Sequence, residues 1–583
     1  MSKRFVCLHG HFYQPPRENP WLEAVEVQDS AAPFHDWNAR ITAECYAPNG
    51  RARIMGPGGR IADLVNNYAA MSFNFGPTVL SWLEAFAPRC YRDILAADAR
   101  GAERFDGHGP AMAQGYNHLI MPLASDRDRA TQARWGVRDF EHRFGRRPEG
   151  MWLPECAADT GSLEALAAEG IAFTVLAPRQ AARVRPLNEA GEPVGEWQDV
   201  SGGRVDPKRA YRCRLPSGRS IALFFYDGPI SQAVAFEELL VRGETFAGRL
   251  LGAMDDRDED QLVHIATDGE TYGHHHRKGE MALAYALRTL DEMPDVEVTC
   301  YGAWLASHPP QWEAEIVEES SWSCAHGVER WRSDCGCATR SDWHQRWRGP
   351  LRDALDALRD RVAPLYEEAA GRLLRDPWAA RDAYIDVILD RSPARVDAFF
   401  AEHARRALDA DETVEALELL EMQRHALLMY TSCGWFFDEL SGLETVQVIQ
   451  YAGRVVQIAR RYADDIEESF LTMLAEAPSN LPEHRDGRVI YEKWVKPTVI
   501  DLRRVAAHHA LADVFRPDHD EHPIYCYHID GDERARHKLG ETRLVVGEAA
   551  VHSAITRETA RFAYAVLYSG GFDFTAGWCR RAR

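Results

Sequence analysis

Two carboxylic acids, Glu155 and Asp268, stand where a β/α protein does its chemistry. Each follows a short apolar run, residues 150–153 leading through Pro154 into Glu155 and residues 262–267 leading directly into Asp268. In a parallel β/α barrel the working residues sit at the carboxyl ends of the strands, so the positions just past each run are the ones to read. Two carboxyl groups from different strands facing one pocket suit glycosidic cleavage, one protonating the leaving oxygen and the other acting at the anomeric carbon. A strand-end carboxylate on its own more often caps the next helix or pairs with an arginine. Here polar and aromatic company surrounds both. The first run ends in His9-Gly10-His11-Phe12-Tyr13-Gln14, and a later segment reads Gln114-Gly115-Tyr116-Asn117-His118. Trp152 precedes Glu155, and Glu270, Tyr272 and His274 follow Asp268. Glu270 is expected to orient a hydroxyl or a neighbouring histidine rather than to do chemistry itself.

The elements that must bring these ends together are legible as apolar runs at residues 4–9, 71–75, 150–153, 171–176, 221–226, 262–267 and 296–301. They alternate with helical patterns, which is the signature of parallel β/α units, and their number is close to that of a closed barrel. Residues 162–170 show a helix with Ser162 as its capping residue and Gly170 as its stop. Residues 186–219, rich in Gly, Pro and charge, read as a hairpin-like insertion. The expected fold class is therefore α/β. A barrel spans 1–310, a Trp- and Cys-rich connecting loop near the active site spans 311–349, an all-helical domain spans 350–476, and a partial C-terminal α/β module spans 477–583.

A chain of 583 residues exceeds what one core usually organises. Its 68 basic against 89 acidic residues give a net charge of −21, which repels nucleic acid and anionic membranes. The first residues lack the order of a secretory signal and no apolar stretch is long enough to span a bilayer, so a cytoplasmic, soluble protein is expected. The 12 cysteines are scattered, which favours reduced thiols.

Taken in order, the segments resemble glycoside hydrolase family 57. Its first motif, His-x-His-Gln-Pro, matches His11-Phe12-Tyr13-Gln14-Pro15 with Tyr13 in place of the second His. Its second centres on a His followed by a Pro, here His118 and Pro122. Its third is Trp-x-Pro-Glu, here Trp152 to Glu155, and its fourth, Asp-x-Glu-x-aromatic-Gly, is here Asp268 to Gly273. The resemblance implies a distorted (β/α)7 barrel followed by a helical domain, and a retaining double displacement on α-glucans or maltooligosaccharides that needs no metal or cofactor. Glu155 is then the nucleophile and Asp268 the acid/base, with carboxyl groups about 5–5.5 Å apart. His9, His11, Tyr13, Gln14, His118, Trp152, Glu270, Tyr272 and His274 are the expected sugar contacts. The segment Tyr430 to Glu439 is similar to the family's fifth motif, with Gly434 where Asp is common, and offers Trp435 as an aromatic platform. The chain also resembles the family's branch with a C-terminal domain of unknown function 3536, whose members run longer, so the last module is expected to be truncated.

The stretch Trp322 to Cys337 holds Cys324-Ala325-His326 and Cys335-Gly336-Cys337, four groups that zinc could accept. Single-residue gaps are tighter than the usual zinc spacing, so the favoured reading is a loop beside the barrel mouth that presents Trp331, Arg330 and His326 toward sugar. In the run His274-His275-His276 adjacent side chains diverge and are not expected to share an ion. Two other readings stay open. His9-x-His11 with a late-strand Asp268 also begins a metal-dependent hydrolase of the amidohydrolase type, and a barrel without turnover could serve as a glucan-binding protein.

Overall fold

The computed structural model describes residues 3–515 and 523–580. They fold as two compact units. The first takes the chain up to Pro16, Val27–Cys337 and Tyr430–Phe436, and the second takes Arg17–Glu26, Ala338–Met429 and the chain from Phe437 onward.

Eight short strands organise the first unit: β1 (Arg4–Phe12), β2 (Ser72–Phe75), β3 (Ala113–Gln114), β4 (Met151–Trp152), β5 (Phe173–Leu176), β6 (Ser220–Phe225), β7 (Gln261–Asp268) and β8 (Val296–Val298). Parallel ladders join β7 to β1, β1 to β2, β3 to β4 and β5 to β6. Parallel bridges Phe73↔Ala111 and Gly150↔Phe173 carry the ring across its gaps. It closes where the Asp227 N–H donates to the His264 carbonyl at 2.8 Å. Seven strands thus encircle the interior in the order 7-1-2-3-4-5-6.

The ring is irregular for a visible reason. One edge of β1 is shared, with Arg4 to Val6 facing β8 and His9 to Phe12 facing β2. The apolar run at 296–301 therefore supplies only a base strand, and from Tyr301 it continues as a helix, Tyr301–Ser307. The seventh ring strand is instead β3, whose two residues are too few to leave a periodic signal. Strand β1 is buried at every position after Arg4, as a strand covered on both faces must be. His9 and His11 are two residues apart and so share one face.

The helix Thr160–Ala168 is capped not by Ser162 but by Asp159, whose carboxylate accepts from the Ser162 N–H at 2.7 Å. The predicted stop, Gly170, follows at φ 80°. Residues 186–219 do not form an isolated hairpin. The strands Ala181–Pro186, Gln198–Asp199, Ala210–Arg214 and Trp312–Ile316 extend the sheet off β6, so 312–316 belong to that sheet rather than to a loop.

Helix α1 (Asp126–Phe144) lies on β3 so closely that a methyl group at Gly136 would sit 2.1 Å from the Gln114 carbonyl oxygen. A backbone atom held in the ring cannot retreat. We expect Gly136→Ala to destabilise the protein by about 1–3 kcal/mol, whereas Gly248→Ala, which meets nothing within 4 Å, gains from the better helix former. Thermal unfolding of both variants checks this, and a Gly136→Ala protein no less stable than Gly248→Ala would contradict the close approach.

The second unit combines helices, among them Arg348–Leu373, Ala410–Leu428 and Leu443–Ala459, with a four-stranded antiparallel meander. The strands are Tyr527–Leu539, Thr542–Ser553, Thr559–Gly570 and Asp573–Arg580. Helix Leu502–Asp513 covers one face, packing Leu502, Val505 and Ala506 with Val551 and Phe562, and Ala510 with Val545 and Val566. Among the described residues no helix is long and apolar enough to cross a membrane.

Candidate active site

The inward face of β1 builds the floor of the site. Trp152, fully buried at the end of β4, lies parallel to both imidazoles, with ring centroids 4.8 Å from His9 and 4.9 Å from His11. Burial pushes His9 and His11 down to about 3 and His118 well below its ordinary value, so the three rings are neutral near pH 7. Neutral rings have one donor and one acceptor each, which fixes the direction of the hydrogen bonds they share. The Asn74 amide donates to Gln114 Oε1 at 2.8 Å and to His11 Nδ1 at 2.9 Å. His11 then carries its proton on Nε2 and donates to His118 Nε2 at 3.2 Å. His118 donates from Nδ1 to Ser432 Oγ at 2.6 Å, and Ser432 donates to Glu155 Oε1 at 3.4 Å. A one-directional chain of donors therefore ends on Glu155.

Glu155 sits just past β4 in a backbone conformation that side chains avoid. Its φ is 56°, that of the following Cys156 is 49°, and that of His118 is also 56°. Such left-handed non-glycine residues cost roughly 1–3 kcal/mol each and concentrate where geometry is over-determined by function. Three of them meet here. Glu155 is 8 % exposed, and burial lifts its carboxyl above the ordinary value, a rise that hydrogen-bond donors oppose. Ser323 Oγ donates at 2.7 Å and Trp322 Nε1 at 3.1 Å, both to Oε2, while the Arg330 guanidinium adds its field. Hydrogen bonds to the charged form are what hold a buried carboxylate ionised.

Asp268 ends β7 directly opposite His11 in the strand register. Its side chain opens to solvent, yet the protein packed around that opening pushes its carboxyl up to about 7, with the charge of Glu155 as the second cause. The charge of Glu155 acts on Asp268, whereas at Glu155 itself the donors and the Arg330 guanidinium favour the charged form. Glu270, buried and pushed up to about 8 by desolvation first, accepts from the Tyr46 hydroxyl at 2.5 Å and from the Tyr13 N–H at 3.0 Å. Of these three carboxyl groups, Glu155 has three side-chain donors and a nearby guanidinium that favour its charged form.

The structure gathers most of the expected residues here. Tyr13 stacks on His118 at 3.6 Å and shares a hydrogen bond of 2.9 Å with Thr431, so it takes the place of a second motif histidine by joining the ring stack. The Gln14 amide donates to the Tyr13 carbonyl at 3.0 Å. Tyr272 is fully buried and accepts from the Thr267 hydroxyl at 3.2 Å, a support under β7 rather than a surface. Three expected contacts lie elsewhere. His274 pairs with Glu44 at 2.5 Å beside Trp37, and His276 turns to the Ala235 carbonyl. Trp331 is fully buried with its indole N–H on the Ser432 carbonyl, and Trp435 is fully buried, so neither ring is presented outward. Arg330 likewise braces, donating to the carbonyls of Phe436 and Ser323.

The ring that does reach the opening is Trp322, partly exposed and edge-on to Trp152 at 5.1 Å. Trp322, Ser323 and Ser432 escape sequence reasoning as partners of Glu155 because 167 to 277 residues separate them from it. Only the aromatic density of the 322–347 stretch hints at them.

With the ring of strands and the two strand-end carboxyl groups described, the matches to known proteins can be set beside them. Residues 107–313, which include Glu155 and Asp268, match glycosyl hydrolase family 57, and residues 343–582 match the domain of unknown function DUF3536. The chain is 26 % identical over 106 residues to alpha-amylase 1 of Dictyoglomus thermophilum, a match covering 18 % of this chain and 15 % of that protein. It is 34 % identical over 100 residues to a probable 1,4-alpha-glucan branching enzyme of Mycobacterium tuberculosis, covering 17 % and 18 %. The chain thus spans less than a fifth of the length of the curated relatives it matches. In fold it is similar to a novel exo-type maltose-forming amylase from Pyrococcus sp. ST04, with a TM-score of 0.60 at 15 % identity, over 87 % of this chain and 94 % of that one.

Proposed function

We propose that this protein cleaves or transfers α-glucosidic bonds in α-glucans by a retaining double displacement. The observation that carries the reading is the division of labour between two carboxyl groups in one site. Glu155 is buried in a strained turn under three hydrogen-bond donors, and Asp268 is raised toward neutrality beside it. Environments that push two titratable groups apart assign the acid and the base. Glu155 attacks the anomeric carbon while Asp268 protonates the departing sugar oxygen, giving a covalent glycosyl-enzyme. Esterified Glu155 has no charge, so the repulsion that helps raise Asp268 is gone. Asp268 then becomes the stronger acid and its carboxylate takes the proton from water or from an acceptor hydroxyl.

Trp322, at the opening, is the ring suited to stack on a sugar face. His11, His118 and Tyr13 supply neutral polar edges for hydroxyl groups. The alternative of a metal-dependent hydrolase draws no support from His9 and His11, whose ring nitrogens are engaged by Ser72, Asn74 and His118. A cytoplasmic setting fits 12 cysteines that all stand unbridged.

The deciding experiment is incubation with maltooligosaccharides and with amylose, followed by chain-length and linkage analysis of the products. Shortened chains alone identify a hydrolase, a ladder of longer and shorter α-1,4 chains a 4-α-glucanotransferase, and new α-1,6 linkages a branching enzyme. Recovery of both substrates unchanged would remove the proposal.

A further inference from the structure

We infer that Cys324, His326, Cys335 and Cys337 hold one zinc ion that ties together the loop carrying Trp322 and Ser323. In the structure one ligand atom from each of the four residues lies within 4.8 Å of every other. Cys324 Sγ is 3.9 Å from Cys335 Sγ and 3.8 Å from Cys337 Sγ. His326 Nδ1 is 3.7 Å from Cys337 Sγ and 4.0 Å from Cys324 Sγ. Zinc–sulfur bonds of about 2.3 Å at tetrahedral angles place sulfurs roughly 3.8 Å apart. A disulfide would need its sulfurs at about 2.05 Å, and these pairs stand well beyond that.

The tight spacing, which argues against a shared ion when read along the chain, is resolved by backbone conformation. Gly336, between Cys335 and Cys337, has φ 76°, in the left-handed region. That turn brings its two flanking thiols round to one point, and glycine is the residue that adopts it at low cost. Gly327 also has φ 76°, and a methyl group there would meet the Glu319 carbonyl oxygen at 2.3 Å. Its N–H donates to the Cys324 carbonyl at 3.2 Å, which closes the turn that returns His326 to Cys324.

The donor set selects the metal and its role. Three thiols and an imidazole, without a carboxylate, suit zinc and exclude calcium or magnesium, which take oxygen ligands. Four protein ligands complete a tetrahedron and leave no position for water, so the ion is structural. Its reach toward the reaction is indirect. Trp322 and Ser323, which donate to Glu155, immediately precede Cys324, and Arg330 lies between the two ligand pairs. Trp322 and Ser323 are therefore positioning residues whose anchor is the metal. It follows that loss of activity in a chelator would not by itself indicate metal-dependent hydrolysis.

The test is metal analysis of the full chain purified under reducing conditions, by inductively coupled plasma mass spectrometry, with zinc added during expression. Near-stoichiometric zinc is expected, lost in C335S/C337S and retained more weakly against a competing chelator in His326→Ala, whose side chain is exposed. Cobalt substituted for zinc should give the thiolate charge-transfer and ligand-field bands of a tetrahedral site. Protein without zinc both as purified and after reconstitution would overturn the inference. So would zinc that C335S/C337S keeps, or thiol titration showing a disulfide among the three cysteines. These readouts do not depend on turnover. The positioning role rests on the function proposed for Glu155 and has its own readout. Zinc depletion should lower kcat, and the drop should be smaller in a Ser323→Ala background, where one of the donors to Glu155 is already gone.

Discussion

Glu155→Gln is expected to lower turnover of α-glucans by at least about 10⁴-fold, the scale on which removing a nucleophile acts, while leaving the fold intact. The amide has the shape of the carboxyl group and can still accept from Ser323 and Trp322, so position is preserved and only the attacking charge is removed. Because a buried charge held in strained backbone is relieved, the variant should unfold at a temperature no lower than the parent. A stereochemical check goes further. In Glu155→Ala a space opens beneath the anomeric carbon, and azide added in excess should enter it and yield a β-glycosyl azide from an α-linked substrate, one inversion replacing two. Turnover of Glu155→Gln within about tenfold of the parent, or an α-configured azide product, would refute the nucleophile assignment.

For the parent protein, kcat/KM should trace a bell against pH. The proposed double displacement requires Glu155 ionised and Asp268 protonated, so the rate should climb as Glu155 loses its proton and decline as Asp268 loses its own. The protein packed around the carboxyl and the charge of Glu155 raise Asp268 to about 7, which sets the falling limb near neutrality. Asp268→Asn should lower kcat/KM by about 10²–10⁴-fold on natural glucans and abolish that falling limb. An aryl α-maltoside whose phenol departs without protonation should spare the first step and stall the second, so the phenol appears as a burst. Azide, which needs no base, should restore turnover with the α configuration kept. A falling limb that persists in Asp268→Asn would place the titrating acid elsewhere.

How far these features could be read from the chain depended on how local each one is. Strands β1, β5, β6 and β7 announce themselves because parallel strands buried on both faces are continuous apolar runs. Strand β3 does not, since two residues carry no period, and the run at 296–301 stands in for it until the pairing of Val296 to Val298 with the base of β1 becomes visible. Glu155 and Asp268 are legible as strand-end carboxyl groups, and their surroundings separate their acidities. The donors that do so are not legible, because Ser323 and Ser432 are ordinary serines until folding brings them to Glu155. Trp331 and Trp435 show the opposite error. A tryptophan near a sugar site invites the role of a platform, but burial of a large ring is the commoner use, and both rings are fully enclosed. The cysteine quartet is recognisable by composition alone, and the rotation at Gly336 that makes its spacing workable is a property of backbone angles.

Ser432 belongs to a segment, Tyr430–Phe436, that rejoins the first unit after the chain has left it at Cys337. During synthesis every ring strand, from Arg4 to Asp268, emerges long before that segment does. A fragment ending near residue 337 should therefore contain all the barrel strands and both carboxyl groups, yet leave the donor chain from Asn74 through His118 without its last link to Glu155. In the full chain that link is made only once residue 432 has been synthesised, with all the barrel strands already present.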